Sequence, residues 1–334
     1  MTGVWRISAE CTGQEILQVM QVYEKRRNTM NTEKKRTIRS PFFYVGDKYK
    51  LMPQLKQLMP KHIGQYIEPF VGGGSSFLNS QGTSYLLNDI DFYVVELHRQ
   101  IGSYAGRAEQ LFGQLFELID FYGLSCSYRG ICVPDELKKK YVKTYYSKYN
   151  KEAYVKMRQD FNDDKGDFLR LYLLLIYGFN HMIRFNDRGD FNLPVGNVDF
   201  NGNVYQALCH YLEFAGQHEL TFFNRDYIAF LESISYEKDT YVFLDPPYLI
   251  SMSEYNKLWN DKKEDELCMY LDSLQERGIM FGITNLITHK GKVNGRFLDW
   301  SKKYRAYDVK SNYISFNDNT IKADSQEVFV TNYA

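Results

Sequence analysis

Cysteine is scarce in this sequence, and its placement argues against two classes of protein. The 334 residues include five scattered cysteines and no C-x-x-C pair; they are Cys11, Cys126, Cys132, Cys209 and Cys268. An odd, scattered set argues against a disulfide framework and favours a reducing compartment. The six histidines include no pair at metal-ligand spacing, so we predict no metal site.

Long apolar runs are also absent. The longest, residues 171–179, has nine residues, whereas a membrane-spanning helix needs about 20. Residues 1–10 contain no apolar segment of the kind found in signal peptides. We therefore expect a cytoplasmic protein that has no membrane partner.

Neither charge is in excess, because 41 Lys and Arg balance 41 Asp and Glu. This balance excludes a protein whose whole surface is basic, but it is compatible with a local basic cleft. Hydrophobic residues make up 44% of the chain and charged residues 25%, as in ordinary folded proteins. The length suits one large domain or two closely packed domains.

Two basic segments interrupt the overall balance. Residues 25–39 carry seven basic residues and one acid, and residues 134–158 carry eight basic residues, interleaved with tyrosines, against three acids. For the first segment we favour a leader over 1–38 that is partly disordered or helical, rather than an arm that binds nucleic-acid phosphates. For the second, a solvated face and a phosphate-contacting face remain open as alternatives.

Strand and helix patterns alternate at both ends of the chain. Short apolar strands at 65–68 and 84–87 flank a glycine turn and a predicted helix, and the alternation returns from residue 219. The middle of the chain is rich in Tyr, Lys and Asn, and its polar stretch predicts a hairpin around 187–190.

These patterns predict a mixed α/β protein with a Rossmann-like sheet. Residues 39–101 and 219–334 would form the sheet with its helices. Residues 102–218 would form a mostly helical insert that carries the β-hairpin.

The first chemical signal is the turn Gly72-Gly73-Gly74, which follows the strand ending at Glu68. Glycines at such a position let the backbone approach a ligand closely, although a tight structural turn is the plain alternative. Asp89, 17 residues past Gly72, suits a ribose diol. The G-x-G-x-x-G pattern of nicotinamide-binding domains is absent, and Glu68 suits a cationic ligand. S-adenosylmethionine carries both a ribose and a positive charge.

The stronger signal is Asp245-Pro246-Pro247-Tyr248, which follows the apolar strand 240–244. The prolines fix φ and donate no amide hydrogen, so Asp245 and the Pro246 carbonyl form two acceptors in a fixed relation. Two acceptors match the two N–H donors of an exocyclic amino group. Binding both draws the nitrogen toward tetrahedral geometry and frees its lone pair for methyl transfer. Tyr248 can stack on the base.

Together these motifs resemble those of Dam-type DNA adenine-N6 methyltransferases of the D12 class, in the family's α arrangement. The resemblance covers about residues 40–333 and looks closest to the phage Dam and FokI-type branches. Six elements agree in order and spacing: Ser40–Lys48, Glu68–Gly74, Asn88–Asp91, Asn180–Asn186, Gly189–Gly196 and Asp245–Tyr248. The sequence departs from the family at Asp47, where a glycine is usual.

The resemblance implies an S-adenosylmethionine-dependent methyltransferase sheet with an inserted DNA-recognition module. We expect the cofactor pocket to be lined by residues at strand ends and in loops: Tyr44, Lys48, Glu68, Phe70, Gly72, Gly73, Gly74, Asp89, Tyr227 and Asp245. The expected catalytic residues are Asp245, Pro246, Pro247 and Tyr248.

The resemblance also implies which residues contact DNA. Arg184 would read the edge of a guanine, in agreement with the bidentate pairing of arginine with that base. The remaining contacts are expected at neighbouring bases, from Met182, Asn186 and Pro194, and in the gap left by a flipped-out base, from Phe179 and Asn180.

We therefore predict a site-specific methyltransferase that acts on N6 of a flipped-out adenine in a short duplex site. GATC is the commonest target in the Dam branch. We expect double-stranded DNA as partner and a monomer or weak dimer. Methylation of cytosine N4 or of RNA is disfavoured because Asp, rather than Ser or Asn, precedes Pro-Pro-Tyr. A DNA-binding protein without catalysis is disfavoured because both motifs are intact.

Overall fold

A computed structural model describes residues 37–251, 259–310 and 325–333. The predicted leader lies outside the described residues except for its last two positions. The chain divides into two units, Met1–Thr37 and Ile38–Ala334, and all elements named here lie in the second. In the described ranges, no helix is both long enough and apolar enough to cross a membrane.

A central sheet organises the second unit. Its strands are β1 (Ile63–Glu68), β2 (Gly82–Asn88), β3 (Glu219–Phe223), β4 (Thr240–Leu244), β5 (Met280–His289), β6 (Lys292–Val293), β7 (Arg305–Val309) and β8 (Gln326–Thr331). Their order is β3-β2-β1-β4-β5-β8-β7, with β6 paired to β5. Strands β1 to β5 pair in parallel, whereas β8 runs antiparallel between β5 and β7. This mostly parallel sheet confirms the predicted fold class.

Helices connect and cover the strands. They are α1 (Met52–Leu58), α2 (Phe92–Gly102), α3 (Ala108–Tyr122), α4 (Asp135–Lys140), α5 (Tyr145–Asp163), α6 (Phe168–Tyr177), α7 (Gly202–Gln217), α8 (Tyr227–Ser233), α9 (Asp261–Glu276) and α10 (Gly295–Ser301). The helix predicted between β1 and β2 is wrong, because that connection contains only a 3-10 turn, Phe77–Asn79. The three glycines and two serines before it leave too few helix-forming residues for a longer element.

Side chains of β4 alternate between two cores, one on each face of the sheet. Tyr241 and Phe243 belong to a core that includes residues of α2, α3, α5, α6 and α7. Val242 and Leu244 belong to the other core, with residues of α8, α9 and α10. Because both faces are covered, every residue of β4 is buried, which explains its uninterrupted apolar sequence.

The predicted insert shares the first of these cores. All seven residues from Leu171 to Tyr177 on α6 are buried, and the Tyr172 hydroxyl donates to the Pro41 carbonyl at 3.1 Å. The Phe42 ring meets the rings of His98 and Tyr172 edge-on. The insert therefore packs as part of the body that holds the sheet, and its separate role in DNA recognition stays a prediction.

The strand order reverses between β1 and β4. Strands β2 and β3 lie on one side of β1, and β4 and β5 lie on the other. In open α/β sheets such a reversal opens a crevice at the carboxyl ends of the strands, where ligands bind. The glycine turn follows β1 and Asp245 follows β4, so the sheet brings the two predicted motifs to this crevice.

Candidate active site

The glycine turn after β1 has steric reasons for its composition. A Cβ on Gly73 would lie 2.9 Å from Cβ of Tyr44. Gly74 has φ of +81°, and a Cβ there would overlap the Phe77 ring and lie 2.9 Å from Cε1 of His98. The predicted cofactor residue Tyr44 thus packs directly on the turn. The contacts therefore account for a tight turn, and the close approach of the backbone to a ligand stays a prediction.

His98, on α2, is hydrogen-bonded to this turn. Its Nε2 donates to the Gly72 carbonyl at 2.9 Å, and its Nδ1 lies 3.0 Å from the Tyr211 hydroxyl, which donates to it. The ring is fully buried, and burial lowers the pKa of His98 to about 4. The neutral form with a proton on Nε2 therefore supports the turn.

We expect the free energy of unfolding of a His98→Gln variant to depend less on pH than that of the wild type. The pKa of His98 falls from 6.5 to about 4 on folding, so its stabilising effect is full above pH 6.5 and is lost as the pH falls toward 4. This shift corresponds to about 3 kcal/mol. Urea unfolding of both proteins measures the difference in their free energies of unfolding, which should narrow by about that amount between pH 7 and pH 4. A difference independent of pH would contradict a buried neutral histidine.

Asp89, at the end of β2, is bonded to the same turn. The Gly72 amide donates to its Oδ2 at 2.9 Å, and the Asp91 amide donates to its Oδ1 at 3.0 Å. Burial raises the pKa of Asp89 to about 6, although these bonds favour the ionised form. Next to it, the Asn88 side chain donates to the Pro69 carbonyl at 3.0 Å. The predicted ribose-binding carboxylate therefore lies at the crevice, beside the glycines.

Glu68, the last residue of β1, is buried and only partly satisfied. The Ser76 hydroxyl donates to its Oε1, whereas its Oε2 has no hydrogen-bond partner among the described residues. Burial raises the pKa of Glu68 well above its usual range, and the nearby charge of Asp245 adds to the rise. A buried oxygen without a partner is the kind of group that a bound ligand satisfies.

Asp245, directly after β4, is in contact with three side chains of the site. Nζ of Lys48 lies 2.8 Å from its Oδ2. The Thr284 hydroxyl donates to its Oδ1 at 2.7 Å, and the Tyr248 hydroxyl lies 3.0 Å from the same oxygen. Among the described residues no donor bonds to the Pro246 carbonyl, and Pro247 is half-buried beside it.

Lys48 is placed at the tetrapeptide. Its ammonium lies 4.8 Å from the centre of the Tyr248 ring, as well as on Asp245. Burial lowers the pKa of Lys48, but the carboxylates of Asp245 and Glu327 outweigh it and the pKa ends above its usual value. The lysine is therefore a largely buried cation, with a side chain 10% exposed, in contact with two predicted catalytic residues.

The departure at Asp47 is accommodated without a glycine. Its φ of −51° is available to any residue, and its Oδ1 accepts the Tyr49 amide at 2.7 Å. This bond caps the 3-10 turn Lys48–Lys50. Asp47 thus fixes the start of the turn that carries Lys48.

Three aromatic rings meet beside the crevice. The ring centre of Phe70 lies 5.2 Å from that of Tyr227 and 5.7 Å from that of Trp259. Tyr227 begins α8, and its hydroxyl donates to the Lys263 carbonyl at 2.9 Å. The structure therefore brings together the predicted cofactor residues Phe70 and Tyr227 and adds Trp259.

Several residues that contact the site were not predicted from the sequence. They are Ser76, His98, Trp259, Thr284 and Glu327. Thr284 lies within β5, the strand next to β4, and Glu327 is an acid in the apolar strand β8. An inward-facing acid in a strand was a usable signal. The others have no signal beyond their type.

The polar stretch after α6 forms the hairpin predicted around 187–190. We define residues 178–196 as the recognition hairpin, after the role predicted for it from the sequence. Its first arm, 178–186, and its return arm, 190–196, are joined by backbone bonds from Phe179 to Pro194 (2.9 Å), Asn192 to Arg184 (3.0 Å) and Asn186 to Asp190 (2.9 Å). Gly196 also donates to the Tyr177 carbonyl at the end of α6 (2.7 Å). Gly189, with φ of +75°, lies at the turn.

The predicted DNA-contacting residues are spread along the recognition hairpin. Arg184 is exposed, and Asn192 holds its guanidinium through Oδ1 (2.8 Å) and its carbonyl (2.9 Å). Phe179 is 49% exposed, and Asn180 beside it has φ of 56°, a left-handed conformation that favours a turn. Three others were predicted: Pro194, which is exposed, Met182, which is half-buried, and Asn186, which is half-buried with its Oδ1 accepting two amides of the turn.

Side chains of α5 and α2 hold the recognition hairpin in place. Asn162 on α5 accepts the Phe191 amide at 2.7 Å and donates to its carbonyl at 3.1 Å. Tyr93, at the start of α2, stacks on Phe185 with ring centres 4.3 Å apart. The position of the recognition hairpin is therefore fixed by contacts with both helices.

The basic stretch lies on α4 and α5, next to the return arm of the recognition hairpin. Asn197 donates to the Lys143 carbonyl at 2.8 Å and accepts the Tyr146 amide at 3.0 Å. Lys138 pairs with Asp135 at 3.0 Å. The other lysines of the stretch are exposed: Lys139, Lys140, Lys143, Lys148, Lys151 and Lys156. A cationic surface thus adjoins the hairpin.

Comparison with known proteins gives a consistent result. The family model "D12 class N6 adenine-specific DNA methyltransferase" matches residues 44–315. The chain is 31% identical over 304 residues to "Type II methyltransferase M.FokI" of Planomicrobium okeanokoites, over 89% of this chain and 43% of that protein. It is 29% identical over 316 residues to "Modification methylase StsI" of Streptococcus sanguinis, over 92% and 44% respectively. It is 29% identical over 210 residues to the "DNA adenine methylase" of Escherichia coli K12, over 61% and 63%. The chain spans less than half the length of the first two relatives.

Proposed function

The chain belongs to the D12 class of N6 adenine-specific DNA methyltransferases, and from this premise we propose that it methylates N6 of adenine in a short duplex DNA site with S-adenosylmethionine as donor. One observation carries the proposal. Asp245–Tyr248 after β4 and Gly72–Gly74 after β1 meet where the strand order reverses. The methyl acceptor and the methyl donor would each have a motif there.

The tetrapeptide supplies acceptors for the target amino group. Asp245 and the Pro246 carbonyl would each accept one N–H, which raises the electron density available on nitrogen. Oδ2 of Asp245 now contacts Lys48, so an entering amino group competes with the lysine for that oxygen. The same lysine lies over the Tyr248 ring, where the base would stack. We expect base entry to displace the ammonium from one or both of these contacts.

The residues around the glycine turn fit the proposed cofactor. Glu68 offers a buried oxygen that has no partner among the described residues, Asp89 offers a carboxylate at the end of β2, and a Cβ on Gly73 would crowd Tyr44. Phe70 and Tyr227 offer apolar rings nearby. S-adenosylmethionine, when bound, supplies an electrophilic methyl group. A cation next to Glu68 would favour the ionised form of that carboxyl.

Duplex DNA is the proposed partner, and residues 102–218 are the proposed recognition module. The target adenine must leave the helix, at a cost of a few kcal/mol. Phe179 and Asn180, at the start of the first arm, would occupy the vacated space. We also propose that the protein is cytoplasmic and is a monomer or weak dimer, and light scattering would measure its oligomeric state. We propose that it serves in restriction-modification, and protection of methylated DNA from a matching endonuclease would test this role.

Methyl transfer from labelled cofactor separates the candidate functions. We expect label in duplex DNA that contains the target adenine and none in a duplex where that adenine is replaced by 2-aminopurine. Transfer to cytosine or to RNA would indicate the other amino-methylating classes, and binding without transfer would indicate a DNA-binding protein. Single-molecule sequencing of DNA from expressing cells would identify the recognition site, with GATC as one candidate.

Replacing Arg184 with alanine should relax specificity at one guanine. The exposed guanidinium is held at two points by Asn192, a geometry that leaves it oriented for bidentate readout. We expect a loss of about 1–3 kcal/mol in discrimination at that position. Methylation rates on a panel of substituted duplexes measure this loss, with Arg188→Ala as the control in the same hairpin. Unchanged relative rates across the panel would exclude Arg184 as a base reader.

Replacing Lys138, Lys139, Lys140 and Lys143 with glutamine should weaken the salt dependence of DNA binding. Each lost phosphate contact reduces the slope of log K against log salt by about 0.9, and the preferred sequence should not change. Fluorescence anisotropy over a range of salt concentrations measures the slope.

A matched control uses the exposed Lys302 and Lys303, which precede β7 at the amino-terminal edge of the sheet. Their replacement by glutamine should leave the slope unchanged. If both variants behave like the wild type, the α4–α5 lysines form a solvated face.

A further inference from the structure

Glu327 is a buried acid on β8, a strand that carries none of the sequence motifs. It is 1% exposed. In the sheet, β8 pairs with β5, and Glu327 is registered opposite Leu286. Strand β5 thus separates it from β4 and Asp245. An ionised carboxylate at such a depth is unfavourable unless charges and donors compensate it.

Two residues of the proposed site supply that compensation. The Tyr248 hydroxyl donates to Oε1 of Glu327 at 2.6 Å, and Nζ of Lys48 lies 3.8 Å from the same oxygen. The hydroxyl is 3.0 Å from Asp245, so its single proton is better placed toward Glu327. One oxygen therefore contacts both the stacking ring and the lysine.

The lysine lies between two carboxylates at unequal distances. Nζ of Lys48 is 2.8 Å from Asp245 and 3.8 Å from Glu327. If the target amino group takes the Asp245 oxygen, the ammonium of this largely buried lysine loses its nearer carboxylate and keeps the Gly46 carbonyl at 3.3 Å. In the described part of the chain, Glu327 is the other carboxylate within 4 Å of that ammonium. A shift of about one ångström would complete the second pair.

We propose that Glu327 is a positioning residue for methyl transfer. It fixes the Tyr248 ring through the hydroxyl, and it retains the Lys48 ammonium when Asp245 binds the target amino group. The inference rests on the proposed function. It assigns to β8 a direct part in a site whose motifs lie on β1 and β4.

Single-turnover methylation by Glu327→Gln tests the role. The amide keeps an acceptor for Tyr248 but loses the charge that would hold Lys48. We expect the rate to fall about 10- to 100-fold, as for a misplacement of about 1 Å at a reacting centre. The dissociation constants for DNA and for S-adenosylmethionine should stay within about threefold of the wild type.

The Lys48→Met background separates positioning from a general structural effect. If Glu327 acts through the lysine, the same substitution should change the rate less than about threefold there. Asp199→Asn is the matched control, because Asp199 is also 1% exposed and accepts two bonds from Ser127, within the predicted insert. It should lower the melting temperature without changing the rate of the folded enzyme.

Each outcome bears on one claim. A wild-type rate for Glu327→Gln, or an equal loss in both backgrounds, overturns the positioning role. If the wild type transfers no methyl group, the proposed function fails and this inference fails with it. If Glu327→Gln does not melt cooperatively, Tyr248→Phe tests the other contact of Glu327, because it removes the hydroxyl bond and leaves the carboxylate in place. An unchanged rate in that variant also overturns the proposal.

Discussion

Asp245→Ala should abolish methyl transfer while duplex DNA binding survives. The carboxylate is the proposed acceptor for the target amino group, and losing one such group typically costs about 10²–10³ in kcat. No phosphate contact is assigned to it. Methyl incorporation and fluorescence anisotropy on the same duplex measure the two properties. Activity within tenfold of the wild type would refute the role of Asp245.

Two companion variants make this result interpretable. Asp245→Ala also leaves Lys48 without its nearer carboxylate, so part of the loss could come from a disturbed site. Asp245→Asn keeps the shape and one acceptor oxygen, and we expect it to lose most of the activity as well. Asp265→Ala removes a carboxylate of α9 that pairs with Arg296 at 2.5 Å, and it should retain full activity.

Gly74→Ala is expected to be strongly destabilising for a change of one methyl group. The new Cβ would overlap the Phe77 ring and lie 2.9 Å from His98, and the φ of +81° would add strain. Overpacking and strain together should lower the free energy of unfolding by about 3 kcal/mol or more. Cofactor affinity should fall as well, because the turn cannot keep its path. Urea unfolding and isothermal titration measure these effects.

Gly106→Ala is a matched control for the conformational part. Gly106 has φ of +75°, and among the described residues no other atom would lie within 4 Å of an added Cβ. Its cost should be the strain alone, about 1–2 kcal/mol. Equal losses at both positions would mean that the contacts with Phe77 and His98 do not constrain the turn.

The motifs and the strands that carry them could be predicted because their signals are local. Strand β4 (Thr240–Leu244) contains the apolar run Tyr241–Leu244 and ends with it, one residue before the two prolines. The recognition hairpin was predictable because Gly189 lies among turn-forming residues between two less polar arms. A resemblance to a known family then joined these pieces in the correct order.

Contacts between distant segments could not be predicted in the same way. Thr284 and Glu327 contact the Asp245–Tyr248 segment only because the sheet order is β4-β5-β8. No local sequence pattern predicts that β8 inserts antiparallel beside β5. His98 supports the glycine turn from a helix whose pattern indicates only a buried face. The prediction of a helix after Gly74 was wrong. The pattern of strand, glycine turn and strand is typical of a connection that contains a helix, but here the connection is too short for more than a 3-10 turn.

The core shared by α6 and the sheet bears on how the proposed DNA sequence preference could be re-engineered. Exchanging all of residues 102–218 with a relative would replace one side of a packed interior, and the new side chains would have to fit Phe42 and its neighbours as Tyr172 does. The recognition hairpin also contributes three buried side chains to this core, Ile183, Phe191 and Leu193. Its other attachment is through Asn162, which bonds backbone atoms that any sequence presents. Grafts confined to the exposed positions of its two arms would leave those three side chains in place. Gly178 and Gly196 would also be kept, because each lies too close to neighbouring backbone for a side chain.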